Sequence, residues 1–337
     1  QRQMCIRDRA RNVEQASELK LITGIKYKDE FMDLLAEKTD LEDAEDLNML
    51  SFEDYLKSFS RYKSSKNKIA VIMGEGNIIM GKGSNGVITS SSFSKEIRKA
   101  RNDDNVKAIV LRINSPGGDA LASDLIWREV VKARETKPVI ASFGNVAASG
   151  GYYIGMAADT IIAQPNTITG SIGIFSVVFN IGDFMANKLG ITTDSESTGE
   201  YSGMWTSSRA LTNNEKAIIQ QGVNEGYEIF TAKAAEGRHM AQADLKKIAS
   251  GRVWAGAQAV ENGLVDMLGG LDLAVATAAE KADLGDDYKV RYYPEQKTTL
   301  EQLMEELSTS AQAKWARYQL GDMYPYVDIV KKMDELK

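Results

Sequence analysis

Two short glycine-bearing segments hold the residues best suited to chemistry. One is Phe143-Gly-Asn-Val-Ala-Ala-Ser-Gly-Gly-Tyr-Tyr-Ile154, which sets Ser149 between alanines and glycines. A serine flanked by residues without bulk, at the start of a short apolar helix, can expose its hydroxyl, and the next amide, from Gly150, points into the same space. The other is Arg112-Ile-Asn-Ser-Pro-Gly-Gly-Asp119. Pro116 fixes its own φ and restricts Ser115, while Gly117 and Gly118 permit backbone angles that turn amide N–H groups outward. An outward pair of N–H groups is what acyl transfer needs to stabilise a developing oxyanion. Taken singly, Ser-Pro-Gly-Gly is a tight turn and Ala-Ala-Ser-Gly-Gly a place for close helix packing. The pairing of both at this distance is the more specific signal.

A serine hydroxyl is a poor nucleophile at neutral pH and needs a base within hydrogen-bond reach. His239 is the only histidine and follows Gly237-Arg238 near an expected helix end, with no carboxylate placed to orient it. A Ser–His–Asp arrangement is therefore not expected. A lysine can serve where desolvation lowers its pKa. Residues 189–215 contain none; Lys188 is expected to end a short surface helix, and Lys216 to sit solvated in the first turn of a capped helix.

The elements that must position these residues alternate strand and helix, which is the pattern of an α/β fold. Strands are expected at Ile69–Met73, Ala108–Ile113, Val139–Ser142 and Thr160–Ala163, with crossover helices near Phe93–Asn102 and Ala120–Ala133. Both glycine-bearing segments follow strands, at the sheet edge where open α/β folds bind ligands. Thr212-Asn-Asn-Glu215 is a capping box and predicts a helix to about Ala235. The apolar stretch Ile172–Phe179 reads equally as the wall of an apolar groove or as a core strand.

Composition narrows the function classes. The 337 residues carry a net charge of −6 with both signs interspersed, which argues against a nucleic-acid partner. Cys5 is the single cysteine, so no intramolecular disulfide, multi-cysteine zinc site or iron–sulfur cluster can be built, and no cofactor or metal is expected. No run of about 18 apolar residues suggests a membrane span or signal sequence.

The chain also repeats itself. Residues 14–41 align without a gap onto 257–284, an offset of 243, with Gln15, Ala16, Glu18, Leu21, Asp29 and Ala36–Lys38 among the identities. The later copy closes a long α/β unit, and the expectation is a tandem repeat of which residues 10–66 hold a loop and helix from the first copy plus a connector with a short helix near Phe52–Phe59. Residues 1–9 do not join smoothly to the chain after them and read as the translation of a sequencing-adapter end. Residues 67–295 are then the catalytic domain, and 296–337 a C-terminal helical tail.

The two motifs, followed by Thr169-Gly-Ser-Ile-Gly173, Gly251-Arg-Val-Trp254 and Asn262-Gly-Leu-Val-Asp266, resemble the signal peptide peptidase A / protease IV family in its long, two-repeat form. The resemblance implies the Clp protease/crotonase superfold of stacked ββα units and a serine endopeptidase with a Ser/Lys dyad. On matching positions Ser149 is the nucleophile, Gly117 or Gly118 with Gly150 supplies oxyanion donors, and Ser171 orients the lysine. That lysine is expected from the first repeat, so this chain alone is expected to be inactive or nearly so. Also implied are signal peptides and short apolar peptides as substrates, a homotetramer, an upstream membrane anchor, and a place on the periplasmic side of the bacterial inner membrane. Two other readings are a crotonase-like thioester enzyme using the same amides, and a non-catalytic scaffold half.

Overall fold

A computed structural model describes residues 12–52, 54–55, 65–83 and 86–294. The expected adapter residues, the tail and most of the helix near Phe52–Phe59 lie outside them. The chain divides between Arg291 and Tyr292 into two compact units. The elements of the first unit are, in order, α1 (Val13–Glu18), α2 (Lys28–Lys38), β1 (Lys68–Glu75), β2 (Asn77–Ile79), β3 (Val87–Thr89), α3 (Ser90–Asn102), β4 (Val106–Ser115) and α4 (Ala120–Arg134). There follow β5 (Val139–Ala148), α5 (Gly150–Gly155), β6 (Thr160–Ala163), β7 (Ile168–Gly170), α6 (Gly182–Leu189), α7 (Asn213–Gly237), α8 (Gln242–Ile248), β8 (Val253–Ala255), α9 (Gly256–Glu261), β9 (Met267–Leu268) and α10 (Leu271–Lys281).

The main sheet runs β1-β4-β5-β6-β9, all parallel. Its central strands are near-continuous apolar runs because helices cover both faces. On one face Ile69, Val71, Ala108, Val110, Ile140 and Ile162 meet Ala274, Ala278 and Ala279 of α10. On the other, Gly74 leaves room for the Phe93 ring of α3: a Cβ at Gly74 would lie 2.9 Å from it. All four expected strands and both crossover helices are present within a few residues of their expected ends, except that β5 runs on to Ala148.

Strand β5 belongs to two ladders. Ile140–Ser142 pair with β6, whereas Val146–Ala148 pair with β7, which continues antiparallel into β8. Between these halves the register slips: Ile113 faces Phe143 but Ser115 faces Ala147, so β5 carries two extra residues. Bulges of this kind bend a strand and re-aim the residues beyond. The Asn114 side chain fills the bulge, its Oδ1 accepting from Val146 N–H at 3.2 Å. Thr167 and Thr169 donate their hydroxyls to the Gly144 and Ala147 carbonyls, each at 2.7 Å.

Two expectations need correction. Of the stretch 172–179, Ile172 is buried, but Phe175 is 83% exposed and Val177 and Phe179 also face outward, with no strand among them. The core-strand reading fails because an apolar run has the same composition whether it faces a core or open space. The described part of the expected loop and helix, residues 12–41, holds two helices rather than one, the first started by Asn12, whose Oδ1 accepts from Gln15 N–H at 2.9 Å.

The internal repeat is matched by structure. Displaced by 243 residues, α1 coincides with α9 and α2 with α10 at both ends. Lys20 and Gly263 both turn left-handed (φ 56° and 80°), as do Asp40 and Asp283 (φ 57° and 52°). Leu21 N–H reaches Ala16 O at 2.9 Å as Leu264 N–H reaches Ala259 O at 2.8 Å. The environments differ: Leu264 and Ala274 are fully buried, while their counterparts Leu21 and Phe31 are 48% and 49% exposed.

Candidate active site

Beyond the bulge, β5 ends at Ala148 and α5 begins at Gly150, leaving Ser149 at the N-cap with φ 52° and ψ −120°. A non-glycine residue there is strained and persists only when its surroundings hold it. They do: Ser149 N–H donates to Gly170 O at 2.9 Å and its carbonyl accepts from Tyr153 N–H at 2.9 Å, above a helix that is buried throughout. The side chain does not cap its own helix, and among the described residues the hydroxyl has no hydrogen-bond partner.

The Ser-Pro-Gly-Gly turn lies against this serine. A Cβ placed on Gly117 would be 2.7 Å from Gly150 N and 2.9 Å from Ser149 Cβ, so the turn can approach this closely only as glycine. Gly117 has φ 109° and Gly118 φ 155°. Strand β2 straps the turn in place, with Ile78 N–H donating to Gly117 O and Asp119 N–H to Ile78 O, both at 2.8 Å. A Cβ on Gly118 would strike Ile78 O at 2.0 Å. Asp119 then caps α4, its Oδ1 accepting from Ala122 N–H at 2.7 Å.

Of the three amides singled out in the sequence, Gly117 N–H is taken by Ser115 Oγ at 3.1 Å. The Gly118 and Gly150 amides have no acceptor among the described residues. Gly150 is the first residue of its helix, where an N–H has no intrahelical partner. Ser171 directly follows Gly170, the residue that holds Ser149 N–H, and is itself left-handed (φ 48°), its N–H donating to Arg252 O at 2.7 Å. The structure therefore brings Ser149, Gly117, Gly118 and Gly150 together and sets Ser171 one residue from the serine's backbone anchor.

No described lysine or histidine hydrogen-bonds Ser149. Lys188 and Lys216 are exposed on α6 and α7, and His239 is exposed just past α7. Among the described residues no group of three or more His, Cys, Asp or Glu side chains could hold a metal ion. Behind the site Arg112 props the bulge, donating to Ser142 Oγ at 3.0 Å and Phe143 O at 2.7 Å, and burial pushes its pKa down.

Sequence reasoning missed one cluster. Tyr153 Oη donates to Asp124 Oδ1 at 2.7 Å, Lys233 pairs with the same oxygen, and the Lys233 ammonium lies 3.9 Å from the Trp127 ring centroid. Burial and the Asp124 carboxylate push the Tyr153 phenol well above its ordinary pKa. Its neighbour Tyr152, fully buried, donates to Leu264 O at 3.0 Å. The only trace in the sequence is the Tyr-Tyr pair after Gly150-Gly151, because Asp124 and Lys233 lie 109 residues apart.

Comparison with known proteins gives this arrangement a context. Residues 132–285 match the family model Peptidase family S49, and residues 60–169 match that of Clp protease. A relative from Synechocystis sp. is 32% identical over 269 residues, spanning 77% of this chain and 94% of its own length. The chain belongs to peptidase family S49. Its α/β sheet is of the Clp/crotonase-like type, with the S49 match covering Ser149 and everything from α5 to α10. The chloroplastic serine protease SPPA of Arabidopsis thaliana is 37% identical over 286 residues, 82% of this chain and 42% of its own. Protease 4 of Salmonella typhi is 39% identical over 265 residues, 78% of this chain and 42% of its own. The chain thus spans less than half the length of these two S49 relatives.

Proposed function

We propose that this chain carries the nucleophile of a serine endopeptidase of the signal peptide peptidase type. In this reading Ser149 Oγ attacks the scissile carbonyl, its proton passes to a neutral lysine, and the oxyanion is held by the Gly118 and Gly150 amides. Collapse of the tetrahedral species expels the amine with that proton, and water then releases the acyl group by the same route. The observation that carries the reading is a strained serine with an unengaged hydroxyl, packed against two unengaged amides. Gly117 has a supporting role, since its own N–H is spent on Ser115.

The lysine comes, in this proposal, from a preceding repeat oriented by Ser171. The matched geometry of α1–α2 and α9–α10 supports a tandem repeat, as does the greater length of the S49 relatives. Substrates are residual signal peptides and other short apolar peptides, handled by a homotetramer anchored upstream in the bacterial inner membrane, with the site on the periplasmic side. The bacterial origin of the Protease 4 relative supports that location. Among the described residues no helix is long and apolar enough to cross a membrane.

The test is hydrolysis of a signal peptide by the full-length protein, its Ser149→Ala variant and this chain alone. Activity in the unmutated full-length protein only is the expected result. Hydrolysis that survives Ser149→Ala would remove the nucleophile, and Ser149-dependent hydrolysis by this chain alone would remove the split dyad.

A further inference from the structure

We propose that Tyr153 is a positioning residue for the nucleophile turn, acting through its phenol on Asp124 and, through that carboxylate, on Lys233 and Trp127. The inference rests on the reading of Ser149 as nucleophile. Helix α5 has six residues, too few to hold its own orientation. Its first turn is closed by Tyr153 N–H on the Ser149 carbonyl, so the backbone of Tyr153 is tied directly to that of the serine. The Tyr153 ring packs on Phe230 of α7, centroids 4.6 Å apart, and edge-on to Trp127 of α4 at 6.4 Å. Its hydroxyl shares Asp124 Oδ1 with Lys233.

One carboxylate oxygen therefore ties three helices together. Helix α4 begins at Ala120, with Asp119 as its cap directly after Gly118, and α5 begins at Gly150. The two helices whose starts carry the paired amides are thus clamped to each other one turn further in, and Lys233 of α7 backs the clamp from outside. Phenylalanine at 153 would keep the ring packing and lose only the clamp. The spacing of the Gly118 and Gly150 amides, and with it the oxyanion geometry, then depends on a hydroxyl that never touches substrate.

The experiment uses the full-length protein with Tyr153→Phe, Lys233→Met, Lys233→Arg and, as a comparator, Glu129→Gln. Glu129 is the other acid of α4, more deeply buried than Asp124, and pairs with Arg98 and Arg101, away from the site. Misplacing reacting groups by a fraction of an ångström predicts a roughly ten- to hundredfold fall in kcat and in fluorophosphonate labelling rate for Tyr153→Phe. Uniform binding is untouched, so KM should stay within about twofold. Lys233→Met should follow Tyr153→Phe, and Lys233→Arg, which keeps both the ion pair and the ring contact, should restore most of kcat. Glu129→Gln should lower Tm and leave kcat alone. Full kcat in folded Tyr153→Phe and Lys233→Met overturns the proposal, as does a fall in kcat in Glu129→Gln matching its loss of Tm. Hydrolysis abolished by Ser149→Ala but untouched by Tyr153→Phe would defeat the positioning role alone, leaving the nucleophile standing.

Discussion

Gly117 shows how little separates a working site from a blocked one. Its φ of 109° is disfavoured for any L side chain, and a methyl there would lie 2.7 Å from the Gly150 amide nitrogen. Gly117→Ala should therefore push the turn away from α5 and separate the two proposed oxyanion donors, the Gly118 and Gly150 amides. The expected outcome is a loss of about 10²-fold or more in kcat of the full-length protein, the scale of a lost oxyanion donor. Steady-state kinetics beside circular dichroism would check it, and near-normal kcat in a folded variant would count against the assignment. At this scale the sequence was most legible: a serine between alanines and glycines, paired with Ser-Pro-Gly-Gly, points to its own chemistry. It could not say which of Gly117 and Gly118 keeps its amide free, because that turns on Ser115 Oγ capturing Gly117 N–H. Nor could it find the Tyr153–Asp124–Lys233 link, whose members meet only after three helices have packed.

Among the elements, α7 was the best marked in advance. Its capping box is present, with Glu215 N–H on Thr212 Oγ1 at 3.2 Å and Thr212 N–H on Glu215 Oε2 at 2.7 Å, and the helix ends at Gly237, two residues past the expected Ala235. Arg209 adds a bidentate grip on the same carboxylate at 2.7 and 2.8 Å. Glu215 is only 2% exposed, and with Arg209 and the Thr212 amide stabilising its charge its pKa is lowered to about 2 from 4.5. A depressed folded-state pKa means that the carboxylate stabilises fully above the unfolded value and that this contribution fades as pH falls from 4.5 towards about 2. Denaturant midpoints for the unmutated chain and Glu215→Gln should thus differ at pH 6 and converge in that window; a constant difference would mean the charge is not responsible. Thr212→Ala should cost about 1 kcal/mol by the same measurement. Other elements were less legible. Apolar alternation reports which face is covered but not which strand is beside it, so the passage of β5 from one partner to another was invisible. The outward turn of 173–179 was hidden for a related reason: nothing in an apolar run states what it faces.

For the whole molecule, the repeat is the feature that sequence and structure share most fully. The same backbone course appears twice, once over a sheet and once with Leu21 and Phe31 in the open. Apolar faces of this kind drive association. This chain in isolation should self-associate at micromolar concentration, and Phe31→Glu should reduce that, as read by light scattering; an unchanged particle size would mean that face is not the adhesive one. The seam in β5 governs how the proposed site would be lost on heating. The first half of the strand is stitched to β6 and the second to β7, with Asn114 buttoned into the bend between them. Neither half can peel away while the other is held, so local fraying is denied to the residues leading to Ser149. Heating the full-length protein should then give one cooperative melt, with fluorophosphonate reactivity vanishing at the temperature where the far-ultraviolet signal collapses. Reactivity lost several degrees earlier would reveal a loosened yet folded intermediate and break that expectation. The proposed nucleophile would then keep its reactivity until the fold itself gives way.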